Sequence, residues 1–432
     1  MEYPIRTGDG NRTTAPHAPQ PTKRHTMTLQ LNLDQFVRDK VTRRSYSLME
    51  ADLQQFDNEL KARLSGRNLL VIGGAGTIGA AFIKVALRYP VSRLCVVDVN
   101  ENGLTELVRD VRSTPGLRAP ESLLTYPINF DDRVFSKIFH AHGPFHVVAN
   151  FAAHKHVRSE KDIFSIEAML DNNVLRANRL LELILSRPPE RFFCVSTDKA
   201  ANPVNVMGAS KKLMEELLSA YSSRLPVTTA RFANVAFSNG SLLSGFLDRL
   251  AKRQPWSCPR NIRRYFVSTR EAGELCLIAA MLADAGEIVY PKLDRDRDLI
   301  SFEAIARNLL DELGLEPDEC ATEDEALEKA AALGPVFQRY PVHFFESDTS
   351  GEKPDEEFIA GGEKVDEQRF DALGVILKTQ CPTVEYIDGI LHEIRSCLDN
   401  DQASKESLIG VLQQFLPSFS HIEKGKTLDQ RM

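Results

Sequence analysis

The chain has 432 residues, 43% hydrophobic and 26% charged, and Lys plus Arg 53 against Asp plus Glu 60 leave a net charge of −7. That composition belongs to a folded globular protein; it excludes disorder throughout and, with no basic excess, argues against nucleic acid as the main partner. No stretch approaches about eighteen uninterrupted apolar residues and the N-terminus has no apolar signal-peptide core, so the sequence predicts a cytoplasmic protein without membrane insertion.

Residues 1–27, rich in Pro, Thr, Gly and basic residues without periodicity, predict a disordered tail. From 28 to 65 the spacing is that of a helical extension: Ser47 and Glu50 stand at capping-box distance, and Leu53, Phe56, Leu60 and Leu64 share one face before Gly66. After Asn68 the apolar run LLVI leads into GGAGTIG and then AAFIKVALRY, the strand, glycine turn and helix of a βαβ unit. Further apolar runs at 94–97, 124–128, 147–151, 192–195 and 227–232 alternate with helical segments. Such alternation predicts an α/β fold, a Rossmann-type doubly wound parallel sheet over 66–235. The less regular stretch 236–423 reads as a smaller C-terminal substrate-binding subdomain, helical after 365, and 424–432 as a polar tail. Seven cysteines, without any C-x-x-C pair, read as reduced thiols rather than as a disulfide framework or metal site.

Gly73, Gly76 and Gly79 lie on the turn from the first strand into the first helix. Glycine there lets the backbone approach a pyrophosphate, and the helix N-terminus offers it free N–H groups and a positive dipole end. Asp98, nineteen residues past Gly79 at the end of the next strand, can accept both ribose hydroxyls. Its charge would repel a 2′-phosphate and no Arg follows directly, so the pattern points to NAD rather than NADP.

Residues 192–218, FFCVSTDKAANPVNVMGASKKLMEELL, combine a strand, a loop with Thr197-Asp198-Lys199, and a helix with Met207-x-x-x-Lys211. That last spacing is where short-chain dehydrogenases carry Tyr-x-x-x-Lys. Methionine cannot act as the tyrosine base, which leaves either an altered mechanism or a non-catalytic NAD-binding scaffold or sensor. The TDKA and MGASK strings resemble those of the extended short-chain dehydrogenases that act as UDP-N-acetylglucosamine 4,6-dehydratases in capsule and flagellin-glycosylation polysaccharide biosynthesis, some of which carry methionine for tyrosine. Matching stretches run from about 66 to about 360: AAHKHV, NNV, RFANV, RRYFVSTREA and SGEKPDEEF. The sequence departs from that family in reading INFDD for GDVRD, which puts Asn129 where an acid is usual. It also places an acidic residue after GEK where an apolar or aromatic one is usual.

The resemblance implies a lyase that dehydrates a nucleoside-diphosphate N-acetylhexosamine, UDP-N-acetylglucosamine first and a GDP-linked sugar left open, to a 4-keto-6-deoxy sugar nucleotide for surface glycan. A nucleotide-sugar C4 epimerase is the alternative, opposed by Met207. It further implies that Lys199 is the base at C5 and Asp198 the acid at the C6 oxygen, with desolvation and nearby Lys211 keeping Lys199 neutral part of the time. Thr197 would route the C4 hydroxyl proton that Met207 cannot take, and Lys211 would hold the nicotinamide ribose. Tightly bound NAD would also meet Thr77, Ile78, Asn129, Phe130, Ala152 and Ala153. Lys155, Asn173, Arg231, Asn234 and Arg264 would face the substrate, with Arg264 foremost on the pyrophosphate; a solvated basic residue is the alternative at Lys155 and a buried structural asparagine at Asn173 and Asn234, and Glu352 and Lys353 are weaker loop candidates. Short-chain dehydrogenases pair through helices here at about 165–186 and 208–223, so a homo-oligomer is expected, with Leu180, Leu181, Leu183 and Ile184 as apolar surface.

Overall fold

The computed structural model describes residues 31–157, 160–347, 351, 353, 355–378, 380–400 and 402–423. The expected tails at 1–27 and 424–432, and Glu352, lie outside the described residues. Short β-branched and aromatic runs form fifteen strands among those residues. They are β1 Asn68–Ile72, β2 Arg93–Val97, β3 Ser122–Tyr126, β4 Val147–Asn150, β5 Arg191–Val195, β6 Val227–Ala230, β7 Asn234–Val235, β8 Trp256–Pro259 and β9 Arg263–Val267. After them come β10 Ile288–Pro291, β11 Leu299–Ser301, β12 Glu316–Glu319, β13 Arg339–Phe345, β14 Lys364–Asp366 and β15 Leu373–Leu377.

Nine of these make one sheet in the order β14-β15-β10-β6-β5-β4-β1-β2-β3, parallel except for β14 and β15 at one edge. Alternate side chains of each strand point to opposite faces, and the two faces bury different cores. Leu69 and Val71 join one with Phe82, Leu275 and Ile278, while Leu70 and Ile72 join the other with Leu181, Leu213 and Leu217. This is the doubly wound Rossmann-type architecture expected. The boundary placed at residue 235, however, cuts through the sheet: β10, β14 and β15 all lie beyond it and complete it. The helix Thr269–Leu282 also packs on the sheet, crossing the helix Thr77–Ala86 so closely that a Cβ on Gly273 would stand 2.6 Å from the Ala81 backbone. Residues 234–345 supply two three-stranded sheets, β11-β9-β7 and β12-β13-β8, over a third core around Trp256, Tyr340 and Phe246.

The helical extension breaks into short pieces, including a π-helical stretch Val37–Thr42, and is welded to the later chain. Phe36, Val37 and Val41 enter the third core. Arg44 donates to Glu271 at 2.9 and 3.0 Å and to the Phe266 carbonyl at 2.9 Å. Ser47 does not cap a helix as its spacing suggested. It donates to buried Glu274, and the helix Glu50–Gln55 begins at Met49 with no side-chain cap.

After β15 the chain forms the helices Val384–Leu398 and Lys405–Phe415, and Ile387, Ile390, Leu391, Ile394, Leu408 and Leu412 share a core with Leu180, Leu181 and Ile184. Leu183 is partly buried against the same core. The apolar residues expected to pair two subunits, Leu180, Leu181 and Ile184, are therefore buried within this chain's own core.

Candidate active site

The C-terminal ends of β1, β4 and β5, where open α/β sheets hold their ligands, carry the predicted residues. Gly73 has φ +72° and a Cβ there would lie 2.6 Å from the Ala152 nitrogen, so only glycine lets β1 turn under the β4 loop. Gly79 meets the Gly73 carbonyl at 2.4 Å in the same test, and Gly74, which the triplet pattern overlooks, would strike Val96 at 2.4 Å. Gly76 faces open space, its nearest neighbour 3.4 Å away, and begins the helix Thr77–Ala86 without any side-chain cap. Asp98 closes the turn, accepting from the Ala75 and Asn100 N–H groups at 2.9 Å. An uncapped helix start behind a side-chain-free turn, flanked by a carboxylate, fits a dinucleotide's pyrophosphate and ribose.

Ile78, Ala152 and Ala153 are partly exposed beside this turn, and Thr77 accepts from the Asn239 N–H at 3.0 Å. Phe130 is 5% exposed and belongs to a core, not to a cofactor surface. Asn129 folds its side-chain oxygen back onto the Asp131 N–H at 3.1 Å.

Beyond β5, Thr197 begins a single 3-10 turn, Asp198–Ala200. Thr197 Oγ1 donates to Asp198 Oδ1 at 2.8 Å, and Lys199 Nζ donates to the same oxygen at 3.0 Å. The helix Val206–Tyr221 runs directly beside this loop: a Cβ on Gly208 would lie 2.5 Å from the Lys199 carbonyl. Met207 is buried on its first turn. Lys211, 4% exposed, has only the Met214 sulfur at 3.3 Å as a hydrogen-bond partner among the described residues, and burial pulls its pKa down. A buried lysine without a carboxylate partner keeps donors for ligand hydroxyls.

The charges acting on Lys199 are not the expected ones. Burial pulls its pKa down and Arg264 lowers it further, but Asp198 and Glu356 together hold it above the ordinary lysine value. Glu356, unremarked in the sequence reading although it lies inside SGEKPDEEF, places Oε1 at 3.7 Å from Lys199 Nζ and 3.9 Å from Arg264 Nη2. Arg264 is 4% exposed and donates to the Arg263 and Lys353 carbonyls at 2.8 and 2.9 Å. Asp355 bridges Arg263 and Arg295 at 2.8 and 2.7 Å, which accounts for an acid after GEK.

Two predicted substrate ligands have other duties. Arg231 is fully buried, and its five N–H groups are taken by Glu215, Glu363 and the Phe358 carbonyl at 2.7–2.9 Å. None remains for a pyrophosphate. Asn173, 2% exposed within π-helical turns Asp171–Leu175, binds both the His154 N–H and carbonyl and donates to Ser210 Oγ at 3.0 Å. It ties the β4 loop to the catalytic helix. Asn234 is half-buried on β7, and Lys155 donates to the Asn239 carbonyl at 2.9 Å.

Residues 69–376 match the model of the polysaccharide biosynthesis protein family, and the chain belongs to that family. It is 32% identical to an uncharacterised membrane protein of Methanocaldococcus jannaschii over 59% of this chain and 74% of that one. It is 27% identical to a capsular polysaccharide biosynthesis protein of Staphylococcus aureus over 61% of this chain but only 44% of that one. An inverting UDP-N-acetylglucosamine 4,6-dehydratase of Campylobacter jejuni is 26% identical over 57% of this chain and 72% of its own. Among solved structures, Pen from Bacillus thuringiensis matches with TM-score 0.58, 20% identity, and 73% and 89% of the two chains. A dTDP-glucose 4,6-dehydratase from Streptomyces venezuelae, solved with NAD bound, gives TM-score 0.51, 18% identity, and 76% and 97%. These likenesses bear out the Rossmann-type fold. No helix among the described residues is long and apolar enough to cross a membrane.

Proposed function

We propose that this chain is an NAD-dependent 4,6-dehydratase of a nucleoside-diphosphate N-acetylhexosamine, UDP-N-acetylglucosamine in first place, working in the cytoplasm to supply surface glycan. The observation that carries the reading is the Thr197-Asp198-Lys199 chain of hydrogen bonds beside Lys211, with buried Met207 where a tyrosine base would stand. NAD, held by the Gly73–Gly79 turn, Asp98 and Lys211, would supply the hydride acceptor at C4 and donor at C6.

The residues can account for the remaining protons. Thr197 passes the C4 hydroxyl proton to Asp198 along its 2.8 Å hydrogen bond. Asp198, now a neutral acid, gives that proton to the C6 oxygen, which leaves as water. Lys199, as a neutral amine, removes the C5 proton made acidic by the C4 carbonyl and later returns a proton to C5. A role on the pyrophosphate falls to Arg264, which pairs with Glu356 at 3.9 Å, rather than to Arg231. Dehydration, unlike C4 epimerisation, ends with the C4 proton in water, so a threonine–aspartate route serves without a tyrosine.

The test is mass spectrometry of UDP-, GDP-, CDP- and dTDP-linked hexoses and N-acetylhexosamines incubated with the protein and NAD, in water and deuterium oxide. Loss of one water from one substrate, with solvent deuterium at C5, is the expected result. An isomer of unchanged mass would make the chain an epimerase, and no change in any substrate would overturn both.

A further inference from the structure

A lysine can serve as base at C5 only after losing its own proton, and Lys199 Nζ lies between two acids, Asp198 and Glu356. Asp198 Oδ1 is committed to Thr197 and Lys199 together at 2.8 and 3.0 Å. Glu356 is different. It is 5% exposed, its Oε1 stands 3.7 Å from Lys199 Nζ, and its Oε2 is buried with no hydrogen-bond partner among the described residues. A buried carboxylate oxygen left unpaired is costly to keep ionised. The cations facing it offset that only in part: Arg264 at 3.9 Å, itself bonded to two carbonyls, and Lys353 further off, while Asp198 adds a repelling charge. Burial accordingly raises the Glu356 pKa above the ordinary carboxylate value.

We propose that Glu356 holds the proton that Lys199 must shed: the ammonium N–H breaks, an O–H forms on Glu356, and a neutral amine and a neutral acid replace the ion pair. No electrons change hands and the pair's net charge stays zero, so the exchange needs no counter-ion. Lys199 can then take the C5 proton, return one to C5, and recover its own from Glu356 when product leaves. Glu356 acts on the substrate only through Lys199, and the transfer requires their 3.7 Å separation to close to hydrogen-bond distance. The inference rests on the dehydratase reading and deepens it.

Glu356→Gln keeps the shape but cannot accept a proton. Its kcat is expected to fall roughly 100-fold at neutral pH, with KM little changed and solvent deuterium at C5 lost in step. Activity should recover as pH rises and solvent strips the Lys199 ammonium, whereas Glu356→Asp should regain the parent's pH profile at a reduced rate. A Glu356→Gln enzyme with the parent's rate, or with a profile lowered in parallel at every pH, overturns the proposal. Infrared spectra of the unliganded protein give a readout independent of activity. The parent should show a protonated carboxyl band, absent from Glu356→Gln, that titrates above the ordinary glutamate value of about 4.3. Absence of that band overturns the proton holder even in an active dehydratase. The band in a protein that dehydrates no sugar nucleotide overturns the dehydratase reading and leaves the proton holder standing.

Discussion

Two buried charge clusters each draw residues from the stretch 356–363, and they are built in opposite ways. Around Arg231 the accounting is complete: Glu215 and Glu363 take its guanidinium bidentately, Ser196 Oγ donates to Glu215 at 2.6 Å, and the Ala360 N–H donates to Glu363 at 2.7 Å. Around Lys199 it is not: Glu356 Oε2 has no partner among the described residues, and the closest cation stands at 3.7 Å. A satisfied buried network rigidifies a fold, while a partly satisfied one keeps bonding capacity for a ligand or a proton. Phe358 and Glu363 bind Arg231 only a few residues from Glu356, so the complete cluster anchors the strand of chain that carries the incomplete one.

The sharpest way to break this contrast is Arg231→Met. It leaves buried Glu215 and partly buried Glu363 with only Lys212, at 3.9 and 3.6 Å, as a countercharge and should cost about 3 kcal/mol, read as a large drop in the urea midpoint. An unchanged midpoint with weakened substrate binding would return Arg231 to the substrate site. Lys199→Met should act chiefly on the chemistry, lowering turnover roughly 10²–10⁴-fold, with a smaller midpoint drop than Arg231→Met because buried Asp198 also loses its cation. Gly208→Ala tests how tightly the catalytic helix abuts its loop: with the Lys199 carbonyl 2.5 Å from the new Cβ, about 1–3 kcal/mol of stability and part of the turnover should be lost.

The smallest effect is expected at a third buried pair. Burial raises the Glu271 pKa, but Arg44 and the Ser268 and Leu48 N–H groups outweigh it and hold it below the usual value. A carboxyl whose folded pKa is depressed stabilises the protein above its unfolded value, about 4.3, and that stabilisation disappears as pH falls through the folded value. Arg44→Ala should therefore move acid unfolding to higher pH and cost about 1–3 kcal/mol near neutrality, measured by circular dichroism against pH.

The strands β1 to β6, the glycine turn, Asp98 and the Thr197–Lys211 segment were legible in the sequence because each is a local pattern with a local cause, whereas β15 falls where the pattern after 365 reads as helix. Apolar runs of strand length, glycines that a Cβ would jam, and a loop-to-helix junction all reveal themselves within a few residues. Arg231 misled for the complementary reason. A polar residue in a matching string looks the same whether it meets a ligand or a distant partner, and Glu363 lies 132 positions beyond Arg231. Glu356 was hidden likewise: within SGEKPDEEF nothing local separates it from Asp355 or Glu357. Only their partners do, Lys199 for the first and Arg263 and Arg295 for the second.

By itself, then, the sequence determined an α/β chain with a dinucleotide turn and an Asp-Lys pair at the end of a parallel strand, since hydrophobic periodicity and backbone sterics act over short separations. Tertiary structure alone decided that β10, β14 and β15 complete the sheet, that Leu180, Leu181 and Ile184 are buried in the chain's own core, and which buried charges are satisfied. Those outcomes depend on which groups desolvate one another after the chain has closed. Burial and charge pairing are properties of that assembled interior, and residues more than a hundred positions apart set them together.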